Sequence, residues 1–148
     1  MKKDHLRSAV YVILRRNDEI LMLQRYNTGY EDGNYSFVAG HVEIEEGPVA
    51  AMLREAKEEA GITLSKEHLK FVHVLHRNCP DARVYVDYFF EAHLWEGEPT
   101  IKEPNKCSAL TWFPINNLPQ NIIPYIKTIL ERIYRDKLVF SEIGYEGN

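Results

Sequence analysis

The chain has 148 residues, a formal net charge of −4 from 18 Lys+Arg against 22 Asp+Glu, and two cysteines, Cys79 and Cys107. That length fits one domain spanning 1–148, large enough to bury about two-thirds of the unfolded chain's surface. The acidic balance gives no electrostatic footprint for a nucleic-acid polymer. The apolar runs fall far short of the ~20 residues of a membrane span, and MKKDHLRSAV lacks the apolar region of a signal peptide, so a cytoplasmic protein is expected. Without a CxxC pair, the cysteines read as free thiols rather than a disulfide or a zinc site.

Ala9 to Leu14 is a continuous apolar run, Asn17-Asp18 is turn chemistry, and Glu19 to Arg25 resumes the apolar pattern, which predicts two strands joined by a short turn. RYNTGYEDGNY, from Arg25 to Tyr35, has the glycines, asparagines and tyrosines of a ligand-contacting loop. Pro48 suits the first turn of a helix and Gly61 the position just past its end, so a helix is expected from about Pro48 to Ala60. FVHVLHR and RVYVDYFFEAHLW alternate at period two around NCPDA and predict a hairpin, and ALTWFP suits one further strand. IIPYIKTILERIY, Ile122 to Tyr134, carries Ile123, Ile126, Leu130 and Ile133 at helical intervals. The sum is an α/β chain, an α/β/α sandwich on a mixed β-sheet, with the second helix closing the chain. An edge strand near the N-terminus would allow a homodimer.

The first helix carries the chemistry. At about 100° per residue Glu55, Glu58 and Glu59 fall within roughly a 100° arc, with Val49, Met52, Leu53, Ala56 and Ala60 on the neighbouring arc. One arc packs, and the other is a carboxylate cluster. Arg54 and Lys57 could serve such a face as ordinary ion-pair partners. Three ionised carboxylates also form an oxygen-only donor set suited to a hard divalent ion such as Mg²⁺ or Mn²⁺.

The wider spacing is more specific. GHVEIEEGPVAAMLREAKEEAGI places Gly40, Glu46, Arg54-Glu55-Ala56, Glu58-Glu59 and Gly61-Ile62, nine fixed positions over 23 residues. This resembles the Nudix box of the Nudix hydrolase superfamily. WEGEP followed by Lys102-Glu103 looks like the segment that in MutT-type members carries a further metal-binding or catalytic glutamate, and Glu103 is the matching residue, with Glu98 and Glu91 as substitutes. Two positions depart from the common pattern: Ala39 and Glu45 stand where glycines are frequent, and Gly47 follows Glu46 instead.

The resemblance implies hydrolysis of a nucleoside triphosphate, or of another nucleoside diphosphate linked to a group X, by Mg²⁺-dependent attack of water on phosphorus. By resemblance, Glu58 and Glu59 are metal ligands, Glu55 is a ligand or the general base, Arg54 orients Glu55, and the Gly40 carbonyl is a further ligand, with Glu46 supporting the turn. Candidate substrate contacts are Arg25 for phosphate, Tyr26, Tyr30, Tyr35 and Phe37 for stacking on a base, Asn121 for a base edge, and Asp87 facing the groove. The MutT-type asparagine that reads an oxidised purine aligns with Ile122, one residue from Asn121. A catalytically silent binding module of the same fold is the alternative that the intact REAKEE opposes. An isopentenyl diphosphate isomerase reading would need a catalytic cysteine and a histidine-rich metal site; Cys79 in a turn gives it little support, and His73 and His76 at i, i+3 on a strand are not a ligand pair.

Overall fold

The computed structural model describes residues 6–145; the segment MKKDH, part of the N-terminus read above, lies outside them. The elements run β1 (Arg7–Arg16), β2 (Glu19–Arg25), β3 (Tyr35–Ser36), β4 (Val38–His41), α1 (Pro48–Ala60), a 3₁₀ turn (Lys66–His68), β5 (Lys70–Asn78), β6 (Val84–Ala92), β7 (Cys107–Pro114), α2 (Pro124–Tyr134) and β8 (Phe140–Ile143). The strands pair in the order β3-β2-β1-β6-β5-β8, with β4 also on β1 and β7 also on β2. The sheet is mixed: β1 runs parallel to β6 and antiparallel to β4, and β8 runs parallel to β5.

The unbroken apolar run of β1 has a direct cause. A central strand covered on both faces needs apolar residues at every position. Ala9, Tyr11 and Ile13 join the core under α2, while Val10, Val12 and Leu14 join the core under α1. The two helices therefore lie on opposite faces of one sheet, giving the layered arrangement expected. Among the described residues no helix is long and apolar enough to cross a membrane.

Three expectations are corrected, and one segment adds strands that the sequence did not announce. The chain does not close on a helix, because β8 follows α2 and adds a parallel strand to β5. The N-terminal strand is not an edge, because β1 has β4 on one side and β6 on the other. Short β3 and β4 occupy YSFVAGH, where too few residues alternate to announce a strand. On α1 the packing arc is rotated: Val49 is 40% exposed, while Ala51, Met52, Ala56 and Ala60 are fully buried.

The ends of α1 follow its sequence. Pro48 occupies the first turn, where a missing N–H costs no hydrogen bond. Gly61 takes φ +71°, its N–H bonds the Lys57 carbonyl at 3.1 Å, and Ile62 N–H reaches the Ala56 carbonyl at 3.4 Å. This double bond to the last turn needs the left-handed conformation that glycine adopts at low cost.

Candidate functional site

Helix α1 lays its acidic arc against the end of β4. Glu59 Oε1 accepts the Ala39 N–H at 3.1 Å, which pins the carboxylate to the strand. Gly40 lies against Glu55 so closely that a Cβ there would collide with the Glu55 carboxyl carbon. The glycine is required here by close approach, not by backbone twist.

Arg54 organises this end of the site. Its Nη1 donates to Glu55 Oε1 at 2.9 Å and to Glu58 Oε2 at 3.2 Å, its Nη2 donates to the His41 carbonyl at 3.0 Å, and both Nε and Nη2 hold Glu46. Glu46 also accepts the Glu43 N–H at 3.0 Å, so the loop before α1 and the helix are fastened through one guanidinium. Such charge-assisted fork contacts fix geometry as well as energy.

Glu59 and Glu55 resist ionisation. Burial, followed by the neighbouring charges of Glu55 and Glu103, pushes the Glu59 carboxyl up to about 8, against the pull of the Ala39 N–H. Burial also raises Glu55, with Glu58 and Glu103 adding to it and Arg54 opposing it. Carboxyls that burial and each other's charge push toward the neutral form gain from any cation placed among them.

A cavity of about 360 Å³ opens beside them, lined by Arg25, Thr28, Ala39, Glu59, Glu103 and Lys106, with Leu23, Phe37 and Cys107 among its apolar walls. Glu103 thus faces the same space as Glu59, brought there by the turn before β7, where Lys106 and Cys107 N–H groups bond the Glu103 carbonyl. Lys106 was not singled out from the sequence; its only signal is its place three residues after Glu103, which its Nζ approaches to 3.6 Å. Two carboxylates and two cations line this one space, a mixture that suits a polyanion whose charge is shared with a metal ion.

The other candidates divide. Arg25 lines the cavity, but its side chain also donates to the Tyr30 carbonyl at 2.7 Å and Thr28 Oγ1 at 3.0 Å, stiffening the loop above it. Tyr30 is 40% exposed, and the Arg25 guanidinium lies over its ring at 5.3 Å. Tyr26 is exposed. Tyr35 packs edge-on against Phe113 and leaves the cavity to others. Phe37 is 1% exposed, so it forms cavity wall and core and offers no ring face for stacking. Asp87 lies fully buried in mid-strand, paired with Arg77 at 2.8 Å, and not on the groove surface. Asn121 spends its amide on the Gly33 carbonyl at 2.8 Å, holding the loop rather than presenting a free edge, and Ile122 beside it is core. Of the substitutes for Glu103, Glu98 pairs with Arg16 and Glu91 bonds Tyr134 and His93, both away from the cavity.

The donor set fits a hard divalent ion: Glu55, Glu58, Glu59, Glu103 and the Gly40 carbonyl supply oxygen only. Among the described residues no group of three His, Cys, Asp or Glu side chains is gathered tightly enough to hold an ion in this conformation, and Arg54 supplies the counter-charge for Glu55 and Glu58.

Comparison with known proteins identifies the family. The NUDIX domain family matches residues 5–133. The chain is 32% identical over 128 residues to the 8-oxo-dGTP diphosphatase of Escherichia coli (strain K12), covering 85% of this chain and 95% of that protein. It is 28% identical to the NAD-capped RNA hydrolase NudC of Escherichia coli O157:H7, of whose length it spans 50%. Among solved structures it resembles a MutT NUDIX hydrolase from Burkholderia pseudomallei, with TM-score 0.80, 27% identity and coverage of 88% of this chain and 99% of that one. The MutT protein from Methanosarcina mazei Go1, at 17% identity and TM-score 0.78 over 93% of this chain and 99% of that one, shares the fold. The chain belongs to the NUDIX family and is an enzyme of the Nudix hydrolase type.

Proposed function

We propose that the chain is an Mg²⁺-dependent pyrophosphohydrolase that cleaves a nucleoside triphosphate or a related nucleoside diphosphate derivative, with Mn²⁺ as a substitute ion. The observation that carries this reading is the Glu59 carboxyl, held up to about 8 among Glu55 and Glu103 at the wall of a cavity that Arg25 and Lys106 also line. A site built only to bind an anion would not place raised carboxyls against it.

Glu58, Glu59, Glu103 and the Gly40 carbonyl would hold the ion. When bound, it neutralises phosphate oxygens and lowers the pKa of water. The chain's own groups do the rest. Arg25 and Lys106 balance the phosphate charge, and the tied loop above them fixes its approach. Water forms a new O–P bond, the bridging P–O bond breaks, and the leaving phosphate or pyrophosphate carries the bridging oxygen. Glu55 Oε1 is held by Arg54, so its Oε2 is the atom that takes the proton from water, as a general base oriented by a fixed hydrogen bond.

The substrate is small, and neither a homodimer nor a nucleic-acid polymer is needed to complete the site. The test is cleavage of canonical and oxidised nucleoside triphosphates, dinucleoside polyphosphates, nucleotide sugars and NADH, with the products and the cleaved bond identified, with Mg²⁺, with Mn²⁺ and with chelator. Cleavage that needs the ion and is lost in Glu59→Gln is expected. Ion-independent turnover, or wild-type turnover in Glu59→Gln, overturns the reading; nucleotide binding without turnover favours the silent module.

A further inference from the structure

Behind the loop of Tyr30, on the sheet face opposite α1, lies a charged group that the hydrolytic steps leave unused. Arg77 on β5 is 9% exposed and Asp87 on β6 is fully buried. Arg77 Nε donates to Asp87 Oδ2 at 2.8 Å and Nη2 to Oδ1 at 3.4 Å, while Nη1 donates to Cys79 Sγ at 3.2 Å. Tyr11 Oη donates to Asp87 Oδ1 at 3.4 Å and meets Tyr125 Oη at 2.9 Å. A buried ion pair contributes little net stability against an apolar replacement of the same shape. Packing alone is a poor reason for this one.

The position of Arg77 links it to the reaction centre. Its guanidinium lies between two phenol rings, 4.6 Å from the Tyr85 centroid and 4.2 Å from the Tyr125 centroid. Tyr85 stacks in turn on His41 at 5.8 Å and 24°. His41 follows Gly40 in the chain, and its carbonyl is the one Arg54 grips. Two ring contacts thus connect Arg77 to His41, the residue that follows Gly40. Tyr30, tied to Arg25 of the phosphate cavity, is close enough to both Arg77 and Tyr125 for their charges to bear on one another.

The unspent valences say what would be recognised. A guanidinium has five N–H groups, and the bonds above use one on Nε, one on Nη1 and one on Nη2, leaving one on each terminal nitrogen among the described residues. Asp87 already balances the charge, so a further phosphate gains little there. A planar neutral group with two adjacent acceptors matches better. In a 6-oxopurine, O6 and N7 form that pair, and an arginine fork on it discriminates against a 6-aminopurine, which puts a donor at the O6 position.

We propose that Arg77, held by Asp87 between Tyr85 and Tyr125, sets the base preference of this enzyme by reading the O6/N7 edge of a 6-oxopurine nucleotide. The inference rests on the proposed nucleotide substrate but not on turnover. It also differs from recognition of an oxidised guanine, whose N7 carries a hydrogen and would meet the fork donor to donor.

The experiment is equilibrium binding of GMP, IMP, AMP and 8-oxo-GMP, read by titration calorimetry, alongside kcat and KM for GTP and ATP. The proteins are the wild type, Arg77→Lys and the double variant Arg77→Met/Asp87→Asn, which leaves no orphaned charge if the lysine variant fails to fold. GMP and IMP should bind the wild type roughly tenfold more tightly than AMP or 8-oxo-GMP. In a folded variant that gap should close through weaker GMP and IMP binding and a higher KM for GTP, with AMP affinity within about twofold. Equal binding of all four by the wild type, tighter 8-oxo-GMP binding, or equal loss for GMP and AMP in the variants overturns the proposal. Base preference without hydrolysis would keep this inference and reject the proposed reaction; hydrolysis with a preference untouched by Arg77 would do the reverse.

Discussion

Gly40 and Glu55 touch where β4 runs into the loop before α1, and no residue with a Cβ fits at Gly40 without displacing the Glu55 carboxylate. The contact couples a backbone carbonyl to the side chain proposed to accept the water's proton. Gly40→Ala should therefore lower kcat by about a hundredfold, since a shift of about 1 Å in a positioned group costs that much. The collision is with the end of a side chain that can turn away, so the folded state should survive. Steady-state kinetics beside thermal melting checks it, and near-native kcat would sink it.

Arg54 holds Glu46, Glu55, Glu58 and the His41 carbonyl at once. A lysine has one ammonium and no fork, so Arg54→Lys should keep the charge but lose the arrangement. Expected are a loss of about 1–3 kcal/mol in urea unfolding and a drop in kcat larger than the rise in KM. A variant with unchanged kcat would show that Glu55 needs no orientation from Arg54.

Glu59 predicts the pH response of the ion-free protein. Burial pushes its folded carboxyl up to about 8, from an ordinary 4.5. Between those values the folded state keeps a proton that the unfolded state has lost, so stability falls as pH rises, by about 1.4 kcal/mol per unit for one such group. Glu59→Gln should flatten the melting profile in that window. Added Mg²⁺ should raise the melting temperature more at pH 8.5 than at pH 5, because the ion competes with the proton. Equal Mg²⁺ shifts at both values would remove Glu59 from the ligand set.

His73 predicts an acid limit at the other side of the sheet. It is fully buried, with Nδ1 bonded to the Leu138 carbonyl at 2.9 Å and Nε2 to Ser141 Oγ at 2.8 Å. The carbonyl can only accept, so Nδ1 carries the hydrogen and Nε2 takes one from Ser141. Burial lowers the His73 pKa below 6.5, partly offset by the Leu138 bond. The unfolded state therefore binds the extra proton first, and stability is lost as pH falls below about 6.5. Amide protection at Phe140–Ile143, corrected for the intrinsic pH dependence of exchange, should fall between pH 6.5 and 5 in the wild type and change less in His73→Gln. No difference between the two would dissociate β8 from His73.

Helix α1 is legible in the sequence because its determinants are local. Pro48, Gly61 and the spacing from Gly40 to Ile62 specify helix ends, a packing arc and a carboxylate arc within 23 residues. The apolar run of β1 and the alternation of β5 and β6 were equally readable. Missed elements had weak local signals. YSFVAGH splits into strands of two and four residues, and β8 is also four long. Val49 was misplaced because the helical arc shows which residues share a face, while the sheet decides how far that face reaches.

Composition and periodicity by themselves determined the layered α/β architecture, the bounds of α1 and the gathering of Glu55, Glu58 and Glu59, since each depends on residues a few positions apart. Only the tertiary structure decided that Phe37 is wall and not stacking surface, that Lys106 shares a cavity with Glu59, and that Asp87 is spent on Arg77. Those outcomes depend on strand register. On a sheet buried on both faces every position is covered, so alternation cannot say which polar side chain will find a partner ten residues away and which will meet a ligand.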